Sequence, residues 1–317
     1  MEVQFGIRST LARWGRPAAV IIVTPALFSA GIAMLRARAR RVPTSVWVQD
    51  IYSLGVSESG SGGGISAAVL RRVEGGILRS ARSVVVIHDR FKRYLVEELG
   101  VDPMAVTVVR NWSRVDDAGS IGRVETRARL GWADDEIIVL HAGNMGAKQG
   151  LEHVVLASRE ASAKQSRARF VLMGDGNQRT FLSDMGANDN LTIMDPVDDD
   201  RFAATLAAAD VLLVNERPGL TEMSVPSKLT SYFRSGRPVV AATDSSSVTA
   251  QEVESAGAGI RVDADDPAGL VDAVERLVAD QDAADRYAAA GLAFSDAELS
   301  ETSAIAKFRD LVESIRR

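Results

Sequence analysis

Residues 136–151, EIIVLHAGNMGAKQGL, join an apolar, β-branched run to a glycine-rich turn and then to a helical pattern. The run predicts a buried strand. Gly143 and Gly146 let the backbone turn sharply and bring its N–H groups close to an anion. The helix that begins near Gly150 adds the positive end of its dipole, and Lys148 adds a full charge. The segment therefore suits a diphosphate, and the alternative is an ordinary turn with a solvated lysine.

A second segment, FVLMGDGN at 170–177, has the same form. Its apolar run predicts a buried strand that ends in Gly174, Asp175 and Gly176. Ligands of open α/β sheets bind at the carboxyl edge of the strands, where these residues are expected. Glycine and aspartate also favour tight turns, so a purely structural turn is the alternative.

A third segment, EMSVPSKLTSY at 222–232, predicts the start of a helix. Pro226 suits the first helical turn. Such a start leaves backbone donors near Ser224 and the Ser227 hydroxyl available to phosphate oxygens. The helix dipole disfavours a lysine at this position, so Lys228 indicates a nearby anion. A solvated surface lysine is the alternative.

Apolar runs alternate with helical patterns along the rest of the chain. Strands are expected at 20–24, 45–49, 83–87, 105–109, 136–141, 169–173, 191–194, 210–214 and 238–242. Helices are expected at 27–41, 65–80, 89–99, 123–130, 150–164, 178–185, 200–209, 226–235, 248–256, 267–280 and 298–316. Nearly continuous apolar strands separated by helices predict parallel sheets that are buried on both faces. We expect an α/β protein of two Rossmann-like, doubly wound domains.

The polar segment 111–135 predicts the boundary between them. We expect an N-terminal domain at 1–115, a C-terminal domain at 116–297, and a closing helix at 298–317 that packs back on the N-terminal domain. Residues 57–64, SESGSGGG, predict a flexible loop. Few residues precede the first convincing strand, so we expect the N-terminal domain to be incomplete.

Composition excludes several kinds of site and partner. The 317 residues are 46% hydrophobic and carry a net charge of −5, which argues against a nucleic-acid partner. The absence of cysteine excludes disulfides, Cys-zinc sites and thiol nucleophiles. The uncharged stretch 17–35 approaches the length of a membrane span, but Pro25 interrupts it, and it predicts a strand, a turn and a helix. The basic end of that helix could also lie on an anionic membrane surface.

Together, the segments at 141–151, 170–177, 208–214 and 224–241 resemble the C-terminal domain of family 4 of the retaining glycosyltransferases, which have the GT-B fold. The similarity is greatest to the bacterial group that builds capsule, O-antigen or exopolysaccharide repeats, including fucosamine-transferase-like enzymes. In the N-terminal half, VIIVTPALF, WVQDIY, VVVIHDRFKRYL and VVRNWSRVD match the order and spacing of the family more loosely.

The resemblance implies transfer of a sugar, with retention, from a UDP- or GDP-linked donor to a saccharide or lipid-linked acceptor in cell-surface polysaccharide synthesis. The C-terminal domain would hold the donor and the N-terminal domain the acceptor. The family requires no metal, and we expect no cofactor. We expect a cytoplasmic protein. Peripheral contact with the inner face of the cell membrane is the alternative.

The resemblance also implies roles for individual residues. The candidate catalytic residues are Lys148 and Lys228, which would bind the leaving diphosphate, and Glu222. The candidate donor-binding residues are Gly143, Asn144, Gly146, Gly174, Asp175, Gly176, Ser224, Val225, Pro226, Ser227 and Ser231. Asp50 and His88 are candidates on the acceptor side, and a structural role is the alternative for each.

The sequence departs from the family in its shortened front, in the arginine that commonly precedes the phosphate-binding lysine, with Asn144 in that neighbourhood, and at one pair of glutamate positions. Many members carry two glutamates eight residues apart that contact the sugar and the ribose, and here Met223 and Ser231 stand at those positions with Glu222 beside the first. A non-catalytic nucleotide-sugar-binding remnant therefore stays open beside an active enzyme. An epimerase of the same fold would need more carboxylates and histidines. A nicotinamide dehydrogenase is disfavoured because GxGxxG follows no strand.

Overall fold

The computed structural model describes residues 2–24, 26–53, 64–112, 122–186, 188–219 and 227–316. The chain forms two compact units. Unit 1 consists of residues 1–111 and 302–317, and unit 2 consists of residues 112–301. Each unit contains one parallel β-sheet with helices packed against it.

Unit 1 is built from four strands and the helices that connect them. In chain order, its elements are α1 (Glu2–Leu11), β1 (Val20–Val23), α2 (Leu27–Ala39), β2 (Thr44–Val48), α3 (Gly64–Ser80), β3 (Ser83–Val86), α4 (Asp89–Glu97) and β4 (Val106–Val108). The strands lie in chain order, with Val46 paired to Val84 and Val84 paired to Val106. The described part of unit 1 thus contains one half of a doubly wound sheet.

Unit 2 contains the larger sheet. Its elements are α5 (Arg123–Leu130), β5 (Ile137–Ala142), α6 (Glu152–Ala163), β6 (Ala168–Met173), α7 (Arg179–Asp184), β7 (Leu191–Met194), α8 (Asp199–Ala208), β8 (Val211–Asn215), α9 (Lys228–Arg234), β9 (Val239–Ala242), α10 (Val248–Ala256), β10 (Gly259–Val262), α11 (Pro267–Ala279) and α12 (Gln281–Glu298). The last helix, α13 (Glu301–Arg316), belongs to unit 1 from residue 302 onward. Within that unit, Phe308 of α13 packs edge-on against Trp47 of β2, with ring centroids 4.8 Å apart.

The strand order of unit 2 is β10-β9-β8-β5-β6-β7. The chain moves outward from β5 to β7, returns to the other side of β5, and moves outward again to β10. This is the doubly wound order, and its switch point lies between β5 and β8. The predicted α/β fold with two parallel-sheet domains is confirmed.

Both faces of the unit 2 sheet are buried. Val139 and Phe170 pack in the core on one face, whereas Ile138, Leu140 and Leu212 pack in the core on the other. Neighbouring residues of one strand point to opposite faces, so a strand covered on both sides needs an unbroken apolar run. That requirement explains why these strands could be located from the sequence.

The uncharged stretch at 17–35 does not form one long helix. It contains β1 and the first part of α2, and Pro25 lies outside the described residues. No helix within the described ranges is long and apolar enough to cross a bilayer. Of the predicted loop at 57–64, only Gly64 is described, and it begins α3.

Candidate functional site

The loops that follow β5 and β6 interlock at the carboxyl edge of the unit 2 sheet. The N–H of Gly143 donates to the carbonyl of Met173 over 2.9 Å, and the N–H of Met145 donates to the carbonyl of Asp175 over 2.8 Å. Gly174 has a φ of +149°, and a Cβ on it would lie 1.9 Å from the Gly143 carbonyl oxygen. Only glycine allows this approach, so the two loops form one continuous surface.

The loop after β5 is also held by β8. The buried Asn215 side chain donates through Nδ2 to the carbonyls of Gln149 (2.7 Å) and Gly150 (3.0 Å). The N–H of Arg217 donates to the carbonyl of Lys148 over 2.9 Å. These bonds fix the main chain around Lys148, whose side chain is exposed.

Most glycine N–H groups in these loops are already used internally. Gly146 donates to the Gln149 side chain over 3.0 Å, and Gly176 donates to the Asp175 carboxylate over 2.8 Å. By contrast, the main-chain N–H groups of Asn144 and Ala147 donate to no other group in the described part of the chain. The glycines therefore shape the turn, and the N–H groups of Asn144 and Ala147 are the ones available to an anion.

Helix α9 brings Lys228 to the end of β5. The Lys228 Nζ lies 3.2 Å from Nε2 of His141, the fifth residue of that strand. It also lies 3.8 Å from the position that a Cβ on Gly143 would occupy. One helical turn later, the buried Tyr232 hydroxyl accepts a hydrogen bond from the N–H of Ala142 over 2.8 Å. Tyr232 thus anchors α9 to β5 and fixes where Lys228 stands.

Burial and charge alter the acidity of this pair. Burial lowers the pKa of His141 well below its usual value, and the charge of Lys228 lowers it further, while the main chain at Asn144 and Leu213 acts in the opposite direction. Burial also lowers the pKa of Lys228 to about 8, and the Glu216 carboxylate acts to raise it. At neutral pH, His141 is therefore a neutral hydrogen-bond acceptor and Lys228 is a charged donor.

This arrangement leaves a partly buried cation at the loop surface. Hydrogen bonding to an imidazole does not neutralise the charge of Lys228, and Glu216 compensates for its burial only in part. An anion at the same place would favour the charged form of the lysine and would be favoured by it in turn. The site is suited chemically to a diphosphate.

The predicted site residues are distributed unevenly over the two units. Those at the carboxyl edge of the unit 2 sheet, or in the helix beside it, are Gly143, Asn144, Gly146, Lys148, Gly174, Asp175, Gly176, Ser227, Lys228 and Ser231. Four more, Glu222, Ser224, Val225 and Pro226, lie outside the described residues. Ser227 is exposed and Ser231 is partly exposed, on consecutive turns at the start of α9.

The two acceptor-side candidates lie in unit 1. His88 is buried and caps α4, because its Nδ1 accepts a hydrogen bond from the N–H of Arg90 over 3.1 Å. This contact gives His88 a structural role. Asp50 follows β2 with an exposed side chain, and its carbonyl accepts a hydrogen bond from the Thr24 hydroxyl over 3.3 Å.

Reasoning from the sequence missed four residues of this site. His141, Asn215, Glu216 and Tyr232 are not among the predicted site residues. For Asn215 and Glu216 a signal was present, because they are polar residues directly after the apolar run of β8, at the edge where ligands bind. Tyr232 stands four residues after Lys228, on the same face of the helix.

Two family models match the chain. Residues 136–280 match the model of the glycosyl transferases group 1. Residues 1–112 match the model of the glycosyl transferase 4-like domain. The first match contains the loops after β5, β6 and β8 as well as helix α9.

Individual relatives agree with these matches. WcaI of Escherichia coli (strain K12), named as a colanic acid biosynthesis glycosyl transferase, is 28% identical over 235 residues, which are 71% of this chain and 56% of WcaI. Alpha-D-kanosaminyltransferase of Streptomyces kanamyceticus is 28% identical over 170 residues, which are 52% of this chain and 42% of that protein. The chain thus spans about half the length of the curated relatives it matches.

Among solved structures, HepE of Anabaena in complex with UDP is similar, with a TM-score of 0.76 and 14% identity. The match covers 99% of this chain and 82% of HepE. Sucrose-phosphate synthase from Thermosynechococcus elongatus is similar with a TM-score of 0.73 and 19% identity, over 98% of this chain and 77% of that chain. At these identities the similarity establishes the fold.

Proposed function

We propose that this chain is a group 1 glycosyltransferase of the GT-B fold and that it transfers a sugar from a nucleoside-diphosphate sugar to a saccharide acceptor. The observation that carries the proposal is the half-buried Lys228, held against the neutral His141 at the end of β5. A cation in this position is best explained by a bound diphosphate. We therefore propose that unit 2 binds the nucleotide-sugar donor.

In this proposal, two lysines and two main-chain N–H groups bind the diphosphate. Lys228 donates to an oxygen of the phosphate that leaves, and the exposed Lys148 supplies a second positive charge. The N–H groups of Asn144 and Ala147 add two neutral donors from the turn between them. Gly143 leaves the space beside Lys228 free of a side chain, so that the diphosphate can approach the main chain there.

The chemical step follows from this arrangement. The bond between the anomeric carbon and the diphosphate oxygen breaks, and the diphosphate leaves with the electron pair. The acceptor hydroxyl forms a new bond to the anomeric carbon on the same face and passes its proton to an oxygen of the leaving diphosphate, so the configuration is retained. Lys228 lowers the barrier because its charge lies where negative charge develops on the leaving group.

The identity of donor and acceptor is proposed from the relatives. UDP is preferred to GDP as the nucleotide, because the similar HepE structures hold UDP and UDP-glucose. We propose a role in cell-surface polysaccharide synthesis because WcaI is named for colanic acid biosynthesis. The lipid-linked saccharide acceptor is proposed from the sequence resemblance alone. Unit 1 would present this acceptor at the inner face of the cell membrane.

A second function is favoured by one sequence observation. Met223 and Ser231 stand where many family members carry glutamates. A protein that binds the nucleotide sugar without transferring it would keep Lys228 and lose those contacts. Both functions require binding of the nucleotide sugar, but only the first includes transfer of the sugar.

One experiment in two steps separates them. A thermal-shift screen with UDP-, GDP- and dTDP-sugars identifies the nucleotide, and the proposal expects a rise in Tm with at least one UDP-sugar. The matching donor is then incubated with saccharide and lipid-linked acceptors, and the anomeric configuration of the product is read by NMR. An α-linked product from an α-linked donor supports transfer with retention. A shift in Tm without release of UDP favours the binding protein, and the absence of any shift contradicts both.

A further inference from the structure

A cavity of about 1040 Å³ opens in unit 1. Thr44 and Ser83, the first residues of β2 and β3, line it together with Ala105, which precedes β4. It therefore lies at the amino edge of the unit 1 sheet. Helices α2, α3 and α13 form its walls. Its size is that of a small-molecule pocket.

The cavity wall has more apolar than polar area. Phe28 and Leu35 of α2 contribute side chains, as do Ile77 of α3 and the buried Leu311 and Ile315 of α13. Leu35 remains 71% exposed. An apolar surface that is open to solvent in this way favours an apolar ligand. Such a surface suits an unbranched hydrocarbon chain.

The charges around the cavity are all of one sign. Arg38, Arg41 and Arg82 line it, and no aspartate or glutamate is found among its lining residues. Within the described part of the chain, none of these three arginines forms an ion pair. Arg41 also adopts a positive φ of 55°, a conformation that is uncommon for a residue with a side chain.

Unit 1 as a whole also carries a net positive charge. Its sequence contains 19 Lys and Arg residues against 10 Asp and Glu residues, whereas unit 2 contains 18 against 32. The net charge of −5 conceals this difference. The positive charge of unit 1 attracts an anionic ligand, so the charge favours binding at this cavity.

We propose that this cavity binds an anionic amphiphile, with a single hydrocarbon chain against the walls and a phosphate or carboxylate head group on Arg38, Arg41 and Arg82. Arginine is suited to both head groups because its guanidinium group binds either in a bidentate manner. The site lies in unit 1 and shares no residue with the diphosphate site of unit 2. It can therefore be tested without any nucleotide.

The test measures binding of dodecyl phosphate and of laurate, both below their critical micelle concentrations, by calorimetric titration of the full chain. The wild-type protein is expected to bind one molecule of at least one of them. Uncharged dodecanol is expected to bind at least tenfold more weakly, because it cannot pair with the arginines. A preference between the two anions distinguishes a lipid phosphate from a fatty acid as the source.

Two variants test the geometry. A Cβ on Gly76 of α3 would meet no atom within 4 Å, so Gly76→Leu introduces a larger side chain at the cavity wall from an open position. It should weaken binding at least tenfold. Arg82→Glu reverses one head-group charge and should weaken binding of the anions, but not of dodecanol. Arg93→Glu on the exposed surface of α4 is the matched control and should leave the affinity unchanged.

Folding of each variant is checked by its thermal unfolding, and Gly76→Ala provides a smaller change at the same position. The proposal is overturned if neither anion binds, or if Gly76→Leu binds as tightly as the wild type while folded. Binding to anionic vesicles without binding of the free amphiphile would also overturn it, because the ligand would then be a membrane surface.

Discussion

The Nζ of Lys228 lies 3.2 Å from the Nε2 of His141, although the two residues are 87 positions apart in the chain. Burial lowers the pKa of both groups, and each stays in the form that suits the other at neutral pH. Lys228 is the donor and His141 the acceptor. The pair therefore presents one positive charge at the carboxyl end of β5, and the first two predictions follow from that charge.

Binding of a nucleoside diphosphate should take up protons near pH 8. In the free protein the pKa of Lys228 is about 8, and a bound diphosphate raises it because it favours the charged form. The affinity should hold up to about pH 8 and then fall by up to tenfold per pH unit as free Lys228 loses its proton. Calorimetry at pH 8 in buffers of different ionisation enthalpy measures the uptake. Lys228→Met should abolish it, and an affinity that stays constant from pH 7 to 9.5 would refute the assignment.

Glu216→Gln should move this pH dependence to lower pH. The Glu216 carboxylate acts to raise the pKa of Lys228, so its replacement by an uncharged amide lowers that pKa below about 8. The fall in affinity should then begin before pH 8. Glu254→Gln in α10 is a control that also removes one negative charge, and it should leave the profile in place. An unchanged profile in Glu216→Gln would show that the carboxylate does not act on Lys228.

Gly174→Ala should disrupt both the stability and the nucleotide binding of unit 2. The added Cβ would lie 1.9 Å from the carbonyl oxygen of Gly143, so the two loops must separate. We expect a loss of more than 1 kcal/mol in the free energy of unfolding, as for other strained positions. Gly122→Ala is the matched control, since nothing lies within 4 Å of its Cβ and its φ is −64°. Equal urea midpoints for the two variants would contradict the account.

Tyr232→Phe should destabilise unit 2 by about 1–3 kcal/mol, because it leaves the N–H of Ala142 buried without an acceptor. Tyr287→Phe removes a hydroxyl that forms no hydrogen bond within the described residues, so it should cost less. Urea unfolding of the two variants provides the comparison. If Tyr232→Phe also weakens nucleotide binding while the protein is folded, the hydroxyl positions α9 and hence Lys228. Equal stability of the two variants would disprove its role as an anchor.

The fold could be predicted largely from hydrophobic patterns. Each of the nine expected strands has its counterpart among β1 to β9, since a strand buried on both faces requires a continuous apolar run. The pattern missed β10, which is a short edge strand in which Arg261 is exposed. It also missed α12, because the alanine-rich segment 281–298 has few large apolar residues to mark a face.

The candidate site was predictable in part. Glycines and lysines that follow apolar strands drew attention to the loops at 143–150 and 174–176. The pairing of Lys228 with His141 could not be foreseen, because it depends on how α9 packs against β5 and no local pattern records it. For the same reason, the sequence did not reveal that Gly146 and Gly176 use their N–H groups internally.

The most direct test of the central claim is a calorimetric titration of UDP into the wild-type chain and into Lys148→Ala. Lys148 lies on a turn that Asn215 and Arg217 hold in place, so its replacement by alanine should remove a charge without moving the main chain. The variant should bind UDP at least tenfold more weakly than the wild type, a loss of about 1.4 kcal/mol. Equal affinities of the wild type and Lys148→Ala for UDP would contradict the assignment of this loop to the diphosphate.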